Sequence, residues 1–222
     1  MAAPQTSQPQ VGTTEGSSRN VVVSEFVSLD GVMEAPDQWQ APFWSDEMGT
    51  YKSDELFASD ALLLGRVTYQ LFADAWPSVT DEEGFADRMN SLPKYVVSTT
   101  LDDVAWNNSR LITGDVADEV ATLKRQPGQD ILIGGSADLV HALMRHNLVD
   151  EYRLMVHPVV VGRGKRLFRE GIETTLRLVG TQTFGSGVVV LTYRPTGRTE
   201  EEEGASTATA DGAARRRRPA TG

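Results

Sequence analysis

The residues best suited to chemistry are Gly134-Gly135-Ser136-Ala137, which follow the apolar run Ile131-Leu132-Ile133. That run reads as a buried strand. Ser136 then caps a helical pattern of Leu139, Val140, Leu143 and Met144. Strand, two glycines and helix start together let a backbone approach a phosphate. Glycine has no Cβ to obstruct the approach, and the free N–H groups and dipole of a helix start favour an anion. A tight strand-to-helix turn in any α/β domain reads the same way, so the weight falls on whether the feature recurs.

It does recur. Ala61-Leu62-Leu63-Leu64 is a second buried-strand run, closed by Gly65-Arg66 and followed by the helical pattern Val67, Tyr69, Leu71, Phe72. Arg66 at a helix start can fork onto a phosphate, or it can be a solvated surface arginine. Thr68 adds a hydroxyl in the first turn. A third strand, Lys94 to Val97, runs into Ser98-Thr99-Thr100. Strand ends closing in Gly, Arg, Ser and Thr suit a ligand with several phosphates, since ligands of open α/β sheets bind outside the carboxyl ends of the strands.

The elements that position these groups are legible as well. Val21 to Ser28 reads as the first strand, and Leu29 to Trp44 as a long loop. Ser45 caps a helix to about Ser59, with Asp46 and Glu47 in its first turn, where acid suits the dipole. A further helix follows Gly65, Asp81 to Leu92 reads as a short helix or an ordered loop, and another helix runs from Asp115 to Arg125, ended by Pro127-Gly128. Strands follow at Asp150–Val156, Thr174–Phe184 and Val188–Tyr193, the last two joined by Gly185-Ser186-Gly187 as an antiparallel hairpin. The expected fold class is α/β: three layers, a mixed, mostly parallel central sheet with helices on both faces, closing in that hairpin.

Five short motifs in order carry a resemblance. They are Phe26-Val27-Ser28-Leu29-Asp30-Gly31, Gly65-Arg66-Val67-Thr68-Tyr69, Val96-Val97-Ser98-Thr99, Ile133-Gly134-Gly135-Ser136, and Val149 to Leu154 with His157 to Phe168. Over roughly Asn20 to Arg194 the chain resembles the dihydrofolate-reductase-like superfamily. Within it, the chain is most similar to the C-terminal reductase domain of the bifunctional riboflavin-biosynthesis deaminase/reductase. The resemblance implies an NADPH-dependent reductase with Gly65, Arg66, Thr68, Ser98, Thr99, Gly134, Gly135, Ser136 and Ala137 on the cofactor. It also implies a cis Gly134–Gly135 peptide that turns the N–H groups of Ser136 and Ala137 toward a pyrophosphate. The chain has no cysteine. The zinc deaminase half, which needs cysteines and a His-x-Glu, is therefore missing, and a stand-alone reductase is expected.

The substrate side is less marked. Ser28 and the aromatics around Trp44 are placed by order to wall a substrate, or Trp44 is core. Asp30 either hydrogen-bonds substrate or makes the turn with Gly31. Dihydrofolate reductases carry an acid on the first helix that handles the pterin. Asp46 and Glu47 lie near that place, but the matching position falls closer to Met48 or Gly49. Asp30, Asp46 and Glu47 are the candidate catalytic groups. Gly162-Arg163-Gly164-Lys165 could meet a ribose phosphate through Arg163 and Lys165, or carry solvated loop charges. His141 is expected on the polar side of its helix, His146 at that helix's end and His157 in a strand. None has a partner at metal-ligand spacing.

Composition bounds the partners. With 222 residues at 40% hydrophobic, one domain is expected, over residues 20–195. Residues 1–19 and 196–222 are polar and small and are expected to be disordered. The net charge is −10, and the tail from Thr196 holds five acids and five arginines, so the acid excess lies in the body. That argues against nucleic-acid binding, and the Arg215–Arg218 run is read as an inert part of the tail. No apolar run approaches the ~20 residues of a membrane span. A cytoplasmic homodimer acting on a small molecule is expected.

Overall fold

The structure is a computed structural model that describes residues 18–196. The tails expected to be disordered, and the Arg215–Arg218 run, lie outside the described residues apart from residues 18, 19 and 196.

The apolar runs pair into one eight-stranded sheet. Its strands are β1 (Val21–Ser28), β2 (Ser59–Gly65), β3 (Lys94–Val97), β4 (Ser109–Ile112), β5 (Asp130–Ile133), β6 (Glu151–His157), β7 (Leu176–Thr183) and β8 (Val189–Pro195). Their order across the sheet is β4-β3-β2-β5-β1-β6-β8-β7. All neighbours are parallel as far as β6, and β8 and β7 then join antiparallel. The dihydrofolate-reductase-like architecture read from the sequence is the one found.

Parallel strands carry helices on both faces, so their sequences are apolar in unbroken runs rather than alternating. Val21 and Val23 of β1, Leu63 of β2, and Ile131 and Ile133 of β5 pack on one face against α4 (Val116–Lys124) and α5 (Ala137–Arg145). Val22, Leu62, Leu64 and Leu132 face the other way. They pack against α1 (Asp46–Ala58), α2 (Arg66–Ala75) and α3 (Phe85–Ser91) through Leu56, Tyr69 and Met89. Burying a side chain of this size contributes roughly 1.5–3 kcal/mol, so these double-sided strands form the stable centre that fixes the strand ends.

The caps follow sequence rules. Ser45 Oγ accepts the Met48 N–H at 3.4 Å, and Asp115 accepts those of Ala117 and Asp118. Strand β4 was not expected, because Ser109-Arg110-Leu111-Ile112 is short and only Ile112 is fully buried. It forms because β3 offers it a parallel edge. His141 is the reverse of its expectation. It is buried, with Nε2 2.7 Å from the Leu167 carbonyl oxygen, because the 159–167 loop folds over what would otherwise be the polar side of α5.

Arg19, assigned by composition to the N-terminal arm, is docked. Its side chain is 5% exposed, pairs with Asp60 and donates to the Gln129 carbonyl at 3.0 Å. A chain starting at Asn20 is therefore expected to be less stable than one starting at Arg19. The loss is about 2–3 kcal/mol, from an unpaired Asp60 and lost packing of the guanidinium stem. Equal urea midpoints for the two chains would count against this docking.

Candidate active site at the carboxyl ends of the strands

Strands β2 and β5 are neighbours, so Gly65-Arg66 and Gly134-Gly135 end side by side. Two hydrogen bonds interlock them, and a third ties the turn to β1. Ser136 Oγ accepts the Gly65 N–H at 2.9 Å, Thr68 Oγ1 accepts the Ser136 N–H at 3.0 Å, and Glu25 Oε2 accepts the Gly135 N–H at 3.0 Å. A Cβ on Gly135 would meet Thr68 Oγ1 at 3.0 Å and Cγ2 at 3.2 Å. Gly135 is required here for close approach as well as for its φ of +70°.

Two expectations for this turn need correcting. The Gly134–Gly135 peptide is trans, as are all peptides among the described residues. The chain turns instead through two successive left-handed residues, Gly135 (φ +70°) and Ser136 (φ +63°). Ser136 also does not cap α5 with its side chain. Its hydroxyl crosses to β2, and the bonds to Gly65 and Thr68 hold it in a conformation that costs a non-glycine residue roughly 1–2 kcal/mol. The Ser136 N–H is consumed by Thr68 and the Gly135 N–H by Glu25. Ala137 starts α5, and it is the N–H groups of that first turn, with no helical partners of their own, that can meet an anion.

The flanking residues fall around this turn. Arg66 is exposed, with Nη1 3.1 Å from Gln70 Oε1. Gln70 lines a hollow of about 760 Å³ between α2 and the 101–107 segment, with Tyr69, Asp74, Leu101, Asp103 and Trp106. Ser98 is buried, and its hydroxyl accepts the N–H groups of Thr100 (3.1 Å) and Leu101 (3.0 Å), which shapes the loop. Thr99 is exposed beside it.

Asp30 is a staple. It accepts from Ser28 Oγ (2.7 Å) and from the N–H groups of Val161 (3.0 Å) and Gly162 (2.9 Å). These bonds hold its carboxyl well below the usual carboxylate range. Ser28 Oγ in turn accepts the Val32 N–H at 2.9 Å. The 28–34 and 159–167 loops are thus zipped together, and Lys165 Nζ reaches Asp138 in the first turn of α5 at 2.9 Å. Arg163 is exposed. Trp44 is 50% exposed and lies along Gly49, so it is not core.

Asp46 and Glu47 stand elsewhere. Glu47 Oε2 accepts the Gly185 N–H at 2.8 Å, which ties α1 to the hairpin turn. Together with Thr50, Tyr51, Asp54 and Gln182 they line a separate hollow of about 390 Å³. They are not brought together with Gly134-Gly135, because the first turn of α1 leans over β8 and β7 rather than over β5.

Sequence reasoning missed a buried polar group. Glu25, in the middle of β1, is 5% exposed and lies under the glycine turn. One signal was available: Glu25 is the one charged residue in the strand run Val21 to Val27. On the other face of β1, Lys52 Nζ donates to Ser24 Oγ (2.8 Å) and Glu55 Oε2 (2.6 Å). Arg153 extends this network to Glu151 at 2.7 Å.

Residues 19–190 match the family described as the RibD C-terminal domain. The chain belongs to that family. It is 34% identical over 188 residues to the uncharacterized protein YyaP of Bacillus subtilis, covering 82% of this chain and 97% of that one. Solved structures extend the likeness of fold. A Shewanella sp. PV-4 protein assigned by name to riboflavin biosynthesis superposes with a TM-score of 0.66 at 19% identity, over 80% of this chain and 99% of its own. The riboflavin biosynthesis reductase Rib7 of Saccharomyces cerevisiae gives 0.53 at 18%, over 85% and 95%. Dihydrofolate reductase of Enterococcus faecalis, complexed with NADP(H), gives 0.53 at 14%, over 80% and 97%.

Proposed function

We propose that this RibD C-terminal domain protein is an NADPH-dependent reductase that transfers hydride to a small heterocyclic or sugar-derived substrate of the riboflavin-precursor type, such as 5-amino-6-(5-phosphoribosylamino)uracil. The observation that carries the reading is the interlocked pair of helix starts at Gly65–Thr68 and Gly134–Ala137 on adjacent strands. Such a pair presents two positive dipole ends to one diphosphate. The close approach at Gly135, where Thr68 leaves no room for a Cβ, keeps the two helix starts together.

The bound nicotinamide would supply the hydride. The chain's own residues bind, orient and exclude water. The first turn of α5 and Thr68 take the diphosphate, and Arg66 with Thr99 takes the adenosine 2′-phosphate beside the hollow under Gln70. Trp44 and the zipped 28–34 and 159–167 loops wall the substrate, with Arg163 and Lys165 at the rim for a substrate phosphate. Asp30 positions these loops and is not assigned the proton, since its oxygens already accept three hydrogen bonds. With Asp46 and Glu47 turned to the hairpin, the proton comes from water. Met48 is buried and Gly49 has no side chain, so α1 offers no acid where a dihydrofolate reductase needs one.

The test is oxidation of NADPH, followed by absorbance, with the phosphoribosylaminouracil and with dihydrofolate. Turnover of the first and not the second is expected. Tight NADPH binding without oxidation by any such substrate would replace the enzyme with a nucleotide-binding protein of the same fold. Arg66→Ala is expected to weaken NADPH by about 1.5–3 kcal/mol, the worth of a charge-assisted bond, while leaving NADH nearly unchanged. Equal losses for both cofactors would remove Arg66 from the 2′-phosphate.

A further inference from the structure

We propose that Glu25 is the positioning residue of the Gly134–Ser136 turn, and that it must carry a proton for the turn to accept a dinucleotide diphosphate, so that cofactor binding takes up a proton at any pH where Glu25 of the free protein is ionised. The inference rests on the reading of this turn as a dinucleotide site.

The geometry comes first. β1 pairs with β5 as Val23↔Ile133, so Glu25 lies opposite Gly135. Its Oε2 accepts the Gly135 N–H at 3.0 Å. Its Oε1 is buried and has no partner among the described residues. One backbone donor does not compensate an ionised carboxylate taken out of water. A protonated carboxyl keeps the Gly135 bond through its carbonyl oxygen and needs no countercharge.

The surrounding charges do not supply one. Lys52 of α1 has an attractive field at Glu25, but its ammonium is bound to Ser24 and Glu55 on the other face of β1. Glu55 of the same helix opposes ionisation. On β6, Arg153 is held by Glu151, Asp130 and Glu55. On α5, His141 is kept toward its neutral form by burial, and Asp138 is exposed and paired with Lys165 and Arg169. On α2, Arg66 is turned out to Gln70. Burial therefore dominates and pushes the Glu25 carboxyl well above its ordinary range.

The consequence for the site is electrostatic. An ionised Glu25 puts a negative charge directly beneath the turn to which the diphosphate must dock, in surroundings with little water to screen it. Cofactor affinity is full while the folded protein holds this proton. It falls as pH rises through the raised value, because the diphosphate favours the protonated form and raises that value further.

The experiment compares the full-length wild type with Glu25→Gln and Glu25→Ala. The glutamine keeps an oxygen acceptor for Gly135 and cannot ionise. NADPH affinity is measured by fluorescence from about pH 6 to about pH 9, and proton uptake by calorimetry in two buffers of different ionisation enthalpy. Wild-type affinity is expected to fall by up to about tenfold per pH unit above the Glu25 titration. The glutamine variant should stay within about threefold of the wild type's low-pH affinity and should lose the uptake. It carries the same 2′-phosphate titration, so that contribution cancels. The alanine variant should bind weakly at every pH. In the cofactor-free protein, the Gly135 amide resonance should titrate in the wild type and not in the glutamine variant. If the glutamine variant keeps the wild-type pH profile and proton uptake, the inference is overturned and the dinucleotide reading stands. If the wild type binds neither NADPH nor NADH, both fall.

Discussion

Lys94→Ala is expected to lower the stability of the protein by about 3–5 kcal/mol, the range for emptying a buried, fully bonded site. Lys94 has no exposed surface. Its ammonium donates to the carbonyl oxygens of Asn90 (2.9 Å), Leu92 (2.9 Å) and Asn107 (3.0 Å), and lies 4.1 Å from the centre of the Trp106 ring. Alanine leaves three carbonyls, that of Leu92 buried, without this donor and opens a cavity along the missing stem. For a domain of this size the loss corresponds to roughly 6–20 °C in Tm. Lys94→Met refills most of the volume without the donors and should recover part of the loss. A melting point unchanged by the alanine substitution would show that the three carbonyls find other partners.

The same lysine predicts a pH dependence. Burial pushes its ammonium down from the ordinary 10.5 to about 8, so the group is still charged at neutral pH. Between these two values the unfolded chain binds the proton and the folded chain does not. Stability therefore rises as pH rises from about 8 toward 10.5. Denaturant midpoints over this window should show the rise in the wild type and not in Lys94→Ala.

Gly135→Ala is expected to abolish measurable cofactor binding, with a smaller loss of stability. The methyl group would meet the Thr68 side chain at 3.0–3.2 Å. It would also force an L-residue to φ +70°, at a cost of roughly 1–2 kcal/mol. Relieving the contact moves either the turn or the Thr68 side chain, and both break the Ser136–Thr68 bond that holds the two helix starts together. A fall in NADPH affinity of at least about 100-fold, with Tm lowered by only a few degrees, is the expected pattern. Normal affinity in this variant would detach the turn from the cofactor.

Local pattern carried much of this protein. The bounds of β1, the helix that starts at Arg66, the Asp115 cap and the Gly185–Gly187 hairpin each follow from a few consecutive residues, because strand and helix periods and turn chemistry are local. The order of the glycine, arginine and hydroxyl motifs was enough to place Gly65, Arg66, Gly134 and Gly135 at strand ends. Tertiary structure decided how those ends meet. Ser136 reaches Gly65 and Thr68 across about 70 residues of chain, and Asp30 reaches Val161 across 131. No local period records such pairs, since they exist only once β2, β5, β1 and β6 lie side by side. The same holds for the trans turn at Gly135, for the docking of Arg19 on Asp60 and for the burial of His141 beneath the 159–167 loop. A single charged residue in a buried strand is visible in the sequence as an anomaly. Only the register of β1 against β5 turns that anomaly into the acid beneath the glycine turn.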